Sequence, residues 1–136
     1  MKFTKEELQD IDNLTEERID EITQRFLSDF KEGKLKENGW PLTVSAYKVS
    51  KAALNAYTRL MARKHKNILV NCVSPGYVIT DMTYQTGIIT ADEGAKGPVM
   101  AALLPDNDPS GVCFNQTQIA PFSSSTILYR FLKELY

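Results

Sequence analysis

The sequence predicts an α/β chain built around a parallel sheet, and three observations carry that prediction. A helix-forming stretch over 46–63, rich in Ala and Leu, is followed by a turn at His65 and Lys66 and then by the apolar run ILVNCV over 68–73. A continuous β-branched and apolar run of that length is typical of a strand covered on both faces. Helix, turn and strand in that order form half of a βαβ unit.

Thr4 and Glu7 have the T-x-x-E spacing of a capping box, which predicts a short helical turn over 5–10. Thr15 is a good N-cap, and Glu16 and Glu17 stand where the positive helix start favours acids, so a helix is predicted over 16–32, ending before Gly33. Ile19, Ile22, Phe26, Leu27 and Phe30 give it one apolar stripe that must lie on something. Residues 34–42, just after Gly33, hold Gly39, a proline behind Trp40 and little periodicity, and are predicted as a loop with one aromatic anchor. Ser45 is predicted to cap the long helix over 46–63. After the strand come Pro75 and Gly76, a loop containing Thr80, Asp81 and Gly87, and a helix over 91–104 that Thr90 caps with Glu93 completing the box. Residues 107–111 are turn chemistry, and 112–114 predict one more short strand.

The 136 residues are 43% hydrophobic and 24% charged, with 16 basic residues against 17 acidic ones. That is the composition of one ordinary domain, and the balance leaves no long-range field for nucleic acid or an anionic membrane. No apolar stretch approaches the ~18 residues of a membrane span, and the charged opening has no signal-peptide core, so a cytoplasmic protein is expected. Cys72 and Cys113 lack CxxC spacing, and one histidine cannot complete a usual zinc site with them; no metal is expected. Both are read as buried reduced thiols, a disulfide or redox switch being the lesser alternative.

Tyr47 and Lys51 are the candidates for chemistry. Four residues apart near the start of a helix, they project from one face about one turn apart. An ammonium beside a phenol favours the phenolate, which suits a group that exchanges a proton with a carbonyl or an alcohol. The spacing alone is common, and Tyr129 with Lys133 repeats it. Context separates the two, because only Tyr47 precedes a strand and the Pro75–Gly76 break at its carboxyl end, where open α/β sheets bind ligands. Thr80 adds a hydroxyl and an amide there. Read structurally, Tyr47 and Lys51 are amphipathic helix residues, Pro75–Gly76 is a turn and Thr80 a cap. A hydrolase on Ser50 or Ser74 fails because His65 is the only histidine and stands at the wrong end of its helix.

The segment SAYKVSKAALNAYTRLMARKHKNILVNCVSPGYVITDM resembles the stretch of the short-chain dehydrogenase/reductase family that runs from its Y-x-x-x-K helix to its P-G-x-V-x-T loop. Residues 10–40 are similar to the helical insertion of a plant carbonyl-reductase-like subgroup, and TADEGAKGPVMAALLPDNDPSGVCFNQTQIAPF fits the same subgroup. The resemblance covers about 10–122 and implies the C-terminal part of a Rossmann-type doubly wound parallel sheet. It implies an NADP(H)-dependent oxidoreductase acting on a ketone or secondary alcohol, with Tyr47 as general acid and Lys51 holding the nicotinamide ribose. The backbone at Val78 and the side chain of Thr80 are implied to meet the carboxamide, Pro75 and Gly76 to shape the loop, and Tyr77, Met82 and the loop around Gly87 to border the substrate. The insertion helix is implied to cover the outer face of the catalytic helix, giving a monomer.

No T-G-x-x-x-G-x-G loop occurs in the sequence, nor the serine-bearing strand that precedes the insertion in this family. The expected division is 1–122 as a truncated domain, with 1–42 the insertion and 43–122 the catalytic helix, strand, loop and last strand, and 123–136 as an atypical tail. Without the N-terminal strands the isolated fold is expected to be marginal and inactive. The alternative is a non-catalytic interaction module using the strand edge near Ile68 or an amphipathic tail built on Ile127, Leu128, Phe131, Leu132 and Leu135.

Overall fold

The structure, a computed structural model, describes residues 5–122. The Thr4 cap, the Tyr129–Lys133 pair and the tail over 123–136 lie outside the described residues. In chain order the elements are α1 (Lys5–Gln9), α2 (Glu16–Lys31), α3 (Ser45–Lys64), β1 (Cys72–Ser74), a 3-10 turn (Asp81–Thr83), α4 (Ala91–Ala102), β2 (Cys113–Asn115) and β3 (Gln118–Ala120).

The ends of α2 follow the residues that were expected to set them. Thr15 is extended, its hydroxyl accepts from the Arg18 N–H at 3.2 Å, and Glu32 caps the other end before Gly33 at φ +70°. The start of α3 differs from expectation. Val44, in the left-handed region at φ 47°, is the cap residue and makes no side-chain hydrogen bond, while Ser45 is the first helical residue and is buried. The turn that brings the chain in from Trp40 thus takes the capping position from Ser45.

The principal core lies between α2 and α3. Ile19, Ile22 and Phe26 of α2 bury against Val49, Ala53 and Ala56 of α3, and the small alanines let the helix axes approach closely. Trp40 closes this layer from the intervening loop, as expected: it is 3% exposed, meets Phe26 edge-on with ring centroids 5.2 Å apart, and donates from Nε1 to Asp29 Oδ2 at 2.6 Å. The predicted apolar stripe of α2 was too wide. Leu27 and Phe30 are exposed, because α3 covers only one side of the helix.

The sheet has the order β1-β2-β3, with β1 and β2 parallel and β2 and β3 antiparallel. The strand expected over 68–73 shrinks to Cys72–Ser74, the three residues that find ladder partners in β2. Upstream of it the chain is tied by side chains instead: Ser110 Oγ accepts from the Val70 N–H at 2.9 Å, and the Asn71 amide group bridges Pro109 O and the Val112 N–H, each at 3.0 Å. The predicted strand at 112–114 falls at Cys113–Asn115, and β3 was not foreseen.

Helix α4 begins at the predicted box: the Thr90 hydroxyl accepts from the Glu93 N–H at 3.2 Å, and the Thr90 N–H donates to Glu93 Oε2 at 2.9 Å. Its buried residues are Gly94 and Gly97, which let the backbone sit directly on the sheet and on the loop after β1. Among the described residues no helix is long and apolar enough to cross a membrane.

Candidate active site

The phenol and the amine singled out in the sequence stand together on one face of α3, in its first two turns. Lys51 Nζ lies 5.7 Å from the centroid of the Tyr47 ring, and Tyr47 is 49% exposed. The burial pattern of α3 explains this placement. Ser45, Val49, Ala53 and Ala56 turn inward at helical spacing, which leaves Tyr47, Lys51 and Leu54 on the opposite side. The Tyr47 hydroxyl has no hydrogen-bond partner among the described residues, and the Tyr47 carbonyl accepts from Ser50 Oγ at 2.9 Å. An unengaged hydroxyl with a cation one turn away is chemically able to pass a proton to an oxygen brought against it.

The second group is the loop that leaves β1. Gly76 is left-handed at φ +94°, and a Cβ there would come within 2.9 Å of Ile89 Cδ1 and 3.1 Å of Gln116 Nε2, so conformation and space both call for glycine. Beyond it Val78 pairs with Ile89 as an isolated parallel bridge, and the Ile79 N–H donates to Ile89 O at 2.9 Å. Gly87 packs so tightly on this segment that a Cβ would fall 2.2 Å from the Ile79 nitrogen. It fixes the loop. Met82, 91% exposed, stands clear of the fold, and the Tyr77 hydroxyl is bonded to Thr86 Oγ1.

Thr83, which sequence reasoning passed over, organises this loop. Its hydroxyl lies 2.7 Å from Val78 O, to which it donates, and accepts from the Thr80 N–H at 3.0 Å. The Thr80 amide expected to be on offer is therefore engaged, and the Thr80 hydroxyl lies 3.4 Å from that of Thr83. The Val78 N–H has no partner among the described residues. The T-x-x-T spacing from Thr80 to Thr83 is the signal that would have found this. No hydrogen bond joins Tyr47 or Lys51 to Pro75, Gly76, Val78 or Thr80 among the described residues. Three or more His, Cys, Asp or Glu side chains that could hold a metal ion do not gather anywhere among the described residues.

Comparison with known proteins covers both groups. The family profile described as Enoyl-(Acyl carrier protein) reductase matches residues 35–103, just over half of the chain. Short-chain dehydrogenase/reductase 1 of Saponaria officinalis is 51% identical over 118 residues, which are 87% of this chain and 39% of that protein. The chain belongs to the short-chain dehydrogenase/reductase family. Among other short-chain dehydrogenase/reductase relatives, (+)-neomenthol dehydrogenase of Arabidopsis thaliana is 52% identical over 116 residues, 85% of this chain and 39% of its own length. The solved structure of salutaridine reductase from Papaver somniferum superposes with a TM-score of 0.75 at 53% identity, covering 81% of this chain and 37% of that one. This places the small α/β arrangement within the Rossmann-type fold of the family. The chain spans about 39% of the length of the curated relatives it matches.

Proposed function

We propose that these residues are the catalytic C-terminal portion of an NADP-dependent carbonyl reductase or alcohol dehydrogenase, and that this portion is inactive by itself. The observation that carries the reading is the Tyr47–Lys51 pair, solvent-facing with 5.7 Å between ammonium and ring centroid, on a helix that leads into a glycine-bearing loop at the end of a parallel strand. The names of the relatives support the reaction class. The name of a more distant relative, carbonyl reductase [NADPH] 3 of Rattus norvegicus, 40% identical over 108 residues, supports the cofactor.

The residues present fit the nicotinamide end of NADP(H). Lys51 has an exposed ammonium for the ribose hydroxyls, the Val78 N–H and the Thr80 hydroxyl face the carboxamide role, and Pro75 with Gly76 gives the loop its close approach. Bound NADPH would supply the hydride. Tyr47 would give its hydroxyl proton to the carbonyl oxygen of a ketone, and the Lys51 ammonium would stabilise the phenolate left behind. In the alcohol direction the same phenolate would take the proton back. The chain carries no T-G-x-x-x-G-x-G loop, so nothing in it matches the family's cradle for the pyrophosphate.

In this reading residues 1–42 are an insertion whose helix α2 covers the outer face of α3 and keeps the complete enzyme monomeric. Residues 43–122 are the catalytic helix, strand, loop and last strand, and 123–136 are a tail. The strands that complete a doubly wound sheet precede this portion. Leu54 at 51% exposure, Tyr57 at 40% and Ile68 at 54% support that arrangement, since these large apolar side chains would be covered by the preceding half.

Two measurements test the proposal. NADPH titrated into the purified chain, followed by calorimetry, is expected to give no binding; micromolar affinity would overturn inactivity of the portion alone. Fused behind a complete N-terminal half from the family, the chain is expected to oxidise NADPH with monoterpene or alkaloid ketones. Tyr47→Phe is then expected to lower kcat by about 10²–10⁴. Full turnover in that variant would remove Tyr47 as proton donor.

A further inference from the structure

Away from the Tyr47–Lys51 site the structure brings a second pair of reactive groups together. Cys72 of β1 and Cys113 of β2 are direct partners in the parallel ladder. Adjacent strands run ~4.8 Å apart with opposed residues on the same face, within the ~4.4–6.8 Å between Cα atoms that a disulfide spans. Val73 meets α4, since a Cβ on Gly97 would lie 2.9 Å from its Cγ1, and alternation turns both cysteines to the other face of the sheet.

Neither thiol is free to drift from the other. Just before the cysteines, the Gly111 N–H donates to Val70 O at 2.8 Å, the Cys72 N–H donates to Val112 O at 3.1 Å, and the Asn71 side chain bridges Pro109 and Val112. The Cys72 thiol donates to Val112 O at 3.8 Å and the Cys113 thiol to Phe114 O at 4.0 Å. The neighbouring Cys113, with burial added, pushes the Cys72 thiol above its ordinary range, and Cys72 in turn holds Cys113 below its own against the effect of burial. Cys113 is 1% exposed and Cys72 is half-buried, so a reagent from solvent reaches Cys72 first.

We propose that Cys72 and Cys113 form a cross-strand redox site that a small-molecule disulfide, such as oxidised glutathione, closes to an intramolecular disulfide. The Cys72 sulfur is the one solvent reaches, and its raised range makes the thiolate scarce and the first step slow; it gives its proton to the medium and attacks one sulfur of the reagent, a mixed disulfide forms, the reagent's S–S bond breaks and one thiolate leaves to be protonated. The sulfur of Cys113 then attacks the Cys72 sulfur, forming the protein S–S bond and expelling the second thiol. Two protein thiols are oxidised, one small disulfide is reduced to two thiols, and those thiols carry away both protons. The product staples β1 to β2 immediately before the Pro75–Gly76 loop.

The test equilibrates the full chain in mixtures of oxidised and reduced glutathione, quenches it with acid, alkylates it and measures intact mass. The folded chain is expected to lose one H2 and to resist alkylation at both cysteines. Its effective thiol concentration is expected to be at least about tenfold that of the same chain in concentrated urea. Cys113→Ser is expected to stop at a mixed glutathione disulfide on Cys72. Mixed disulfides without ring closure in the unsubstituted folded chain, or closure no more favourable than in urea, would overturn the proposal. The urea comparison needs no variant and holds even if Cys113→Ser does not fold. The outcome is independent of reductase activity.

Discussion

Replacing Gly97 by alanine sets two well-calibrated effects against each other. Within a helix interior alanine is better than glycine by about 1 kcal/mol, so the substitution in α4 would stabilise the chain if nothing touched the site. The structure puts neighbours there. A Cβ at residue 97 would fall 2.4 Å from the carbonyl oxygen of Gln116, 3.0 Å from its carbonyl carbon and 2.9 Å from Val73 Cγ1. The oxygen belongs to the backbone between β2 and β3, where Gln116 is left-handed at φ 55° and its N–H donates to Ser74 O at 2.7 Å, so it cannot rotate aside like a side-chain end. Forcing a methyl group into such a contact costs about 1–3 kcal/mol, and a backbone clash this short lies at the upper end. The net effect is a loss of about 1–2 kcal/mol, or roughly 4–8 °C in midpoint for a chain of this size. Thermal and urea unfolding followed by far-UV circular dichroism reads it directly. A midpoint raised by Gly97→Ala would mean that α4 does not sit on the sheet through its glycine face.

The remaining predictions concern the helical layer. Ile22→Ala removes a side chain with 0% exposure between α2 and α3 and is expected to cost about 2–5 kcal/mol in urea unfolding. Val44→Gly is expected to stabilise by up to ~1 kcal/mol, because a β-branched residue in the left-handed region costs about 1–2 kcal/mol and glycine returns roughly half of that gain through the unfolded chain. The hydrogen bond from Trp40 holds the Asp29 carboxyl below its ordinary value of 3.8, so its stabilising effect is present above that value and lost as pH falls through the lower native one. Fluorescence of the single tryptophan during unfolding is expected to show a midpoint falling with acid below pH ~4, and a shallower fall in Asp29→Asn.

Where the sequence could be read, a local chemical signal fixed the structure locally. The ends of α2 and the start of α4 follow from Thr15 and from the Thr90–Glu93 box, because those side chains bond to backbone groups three residues away. The spacing of Tyr47 and Lys51 on one helical face follows from helix geometry alone. What was misread depended on distant residues. Ser45 has the chemistry of a cap, yet the path from Trp40 gives that position to Val44. The run over 68–73 has the composition of a long strand, but a ladder needs a partner, and β2 supplies one only at Cys72–Ser74. Strand β3 escaped notice because Gln116-Thr117 carries none of the Asn-Gly or Asp-Gly signals of a tight hairpin. The role of Thr83 in holding Val78 and Thr80 was hidden because it lies in a fold of the loop that no periodicity marks.

Helix α3 is gripped at both ends from the side opposite the tyrosine. Near its start Val49, Ala53 and Ala56 interlock with α2. Near its finish Arg59 donates to Gln9 O at 3.1 Å, Arg63 donates to Ile11 O at 2.6 Å and meets Asp12 Oδ1 at 2.9 Å, and Lys64 pairs with Glu16 at 3.0 Å. Sliding along its axis would break the apolar interlock and the polar clamps at once, and rolling would expose alanines cut to fit α2. The phenol and the amine therefore ride on an anvil: whatever approaches them must adjust to their position.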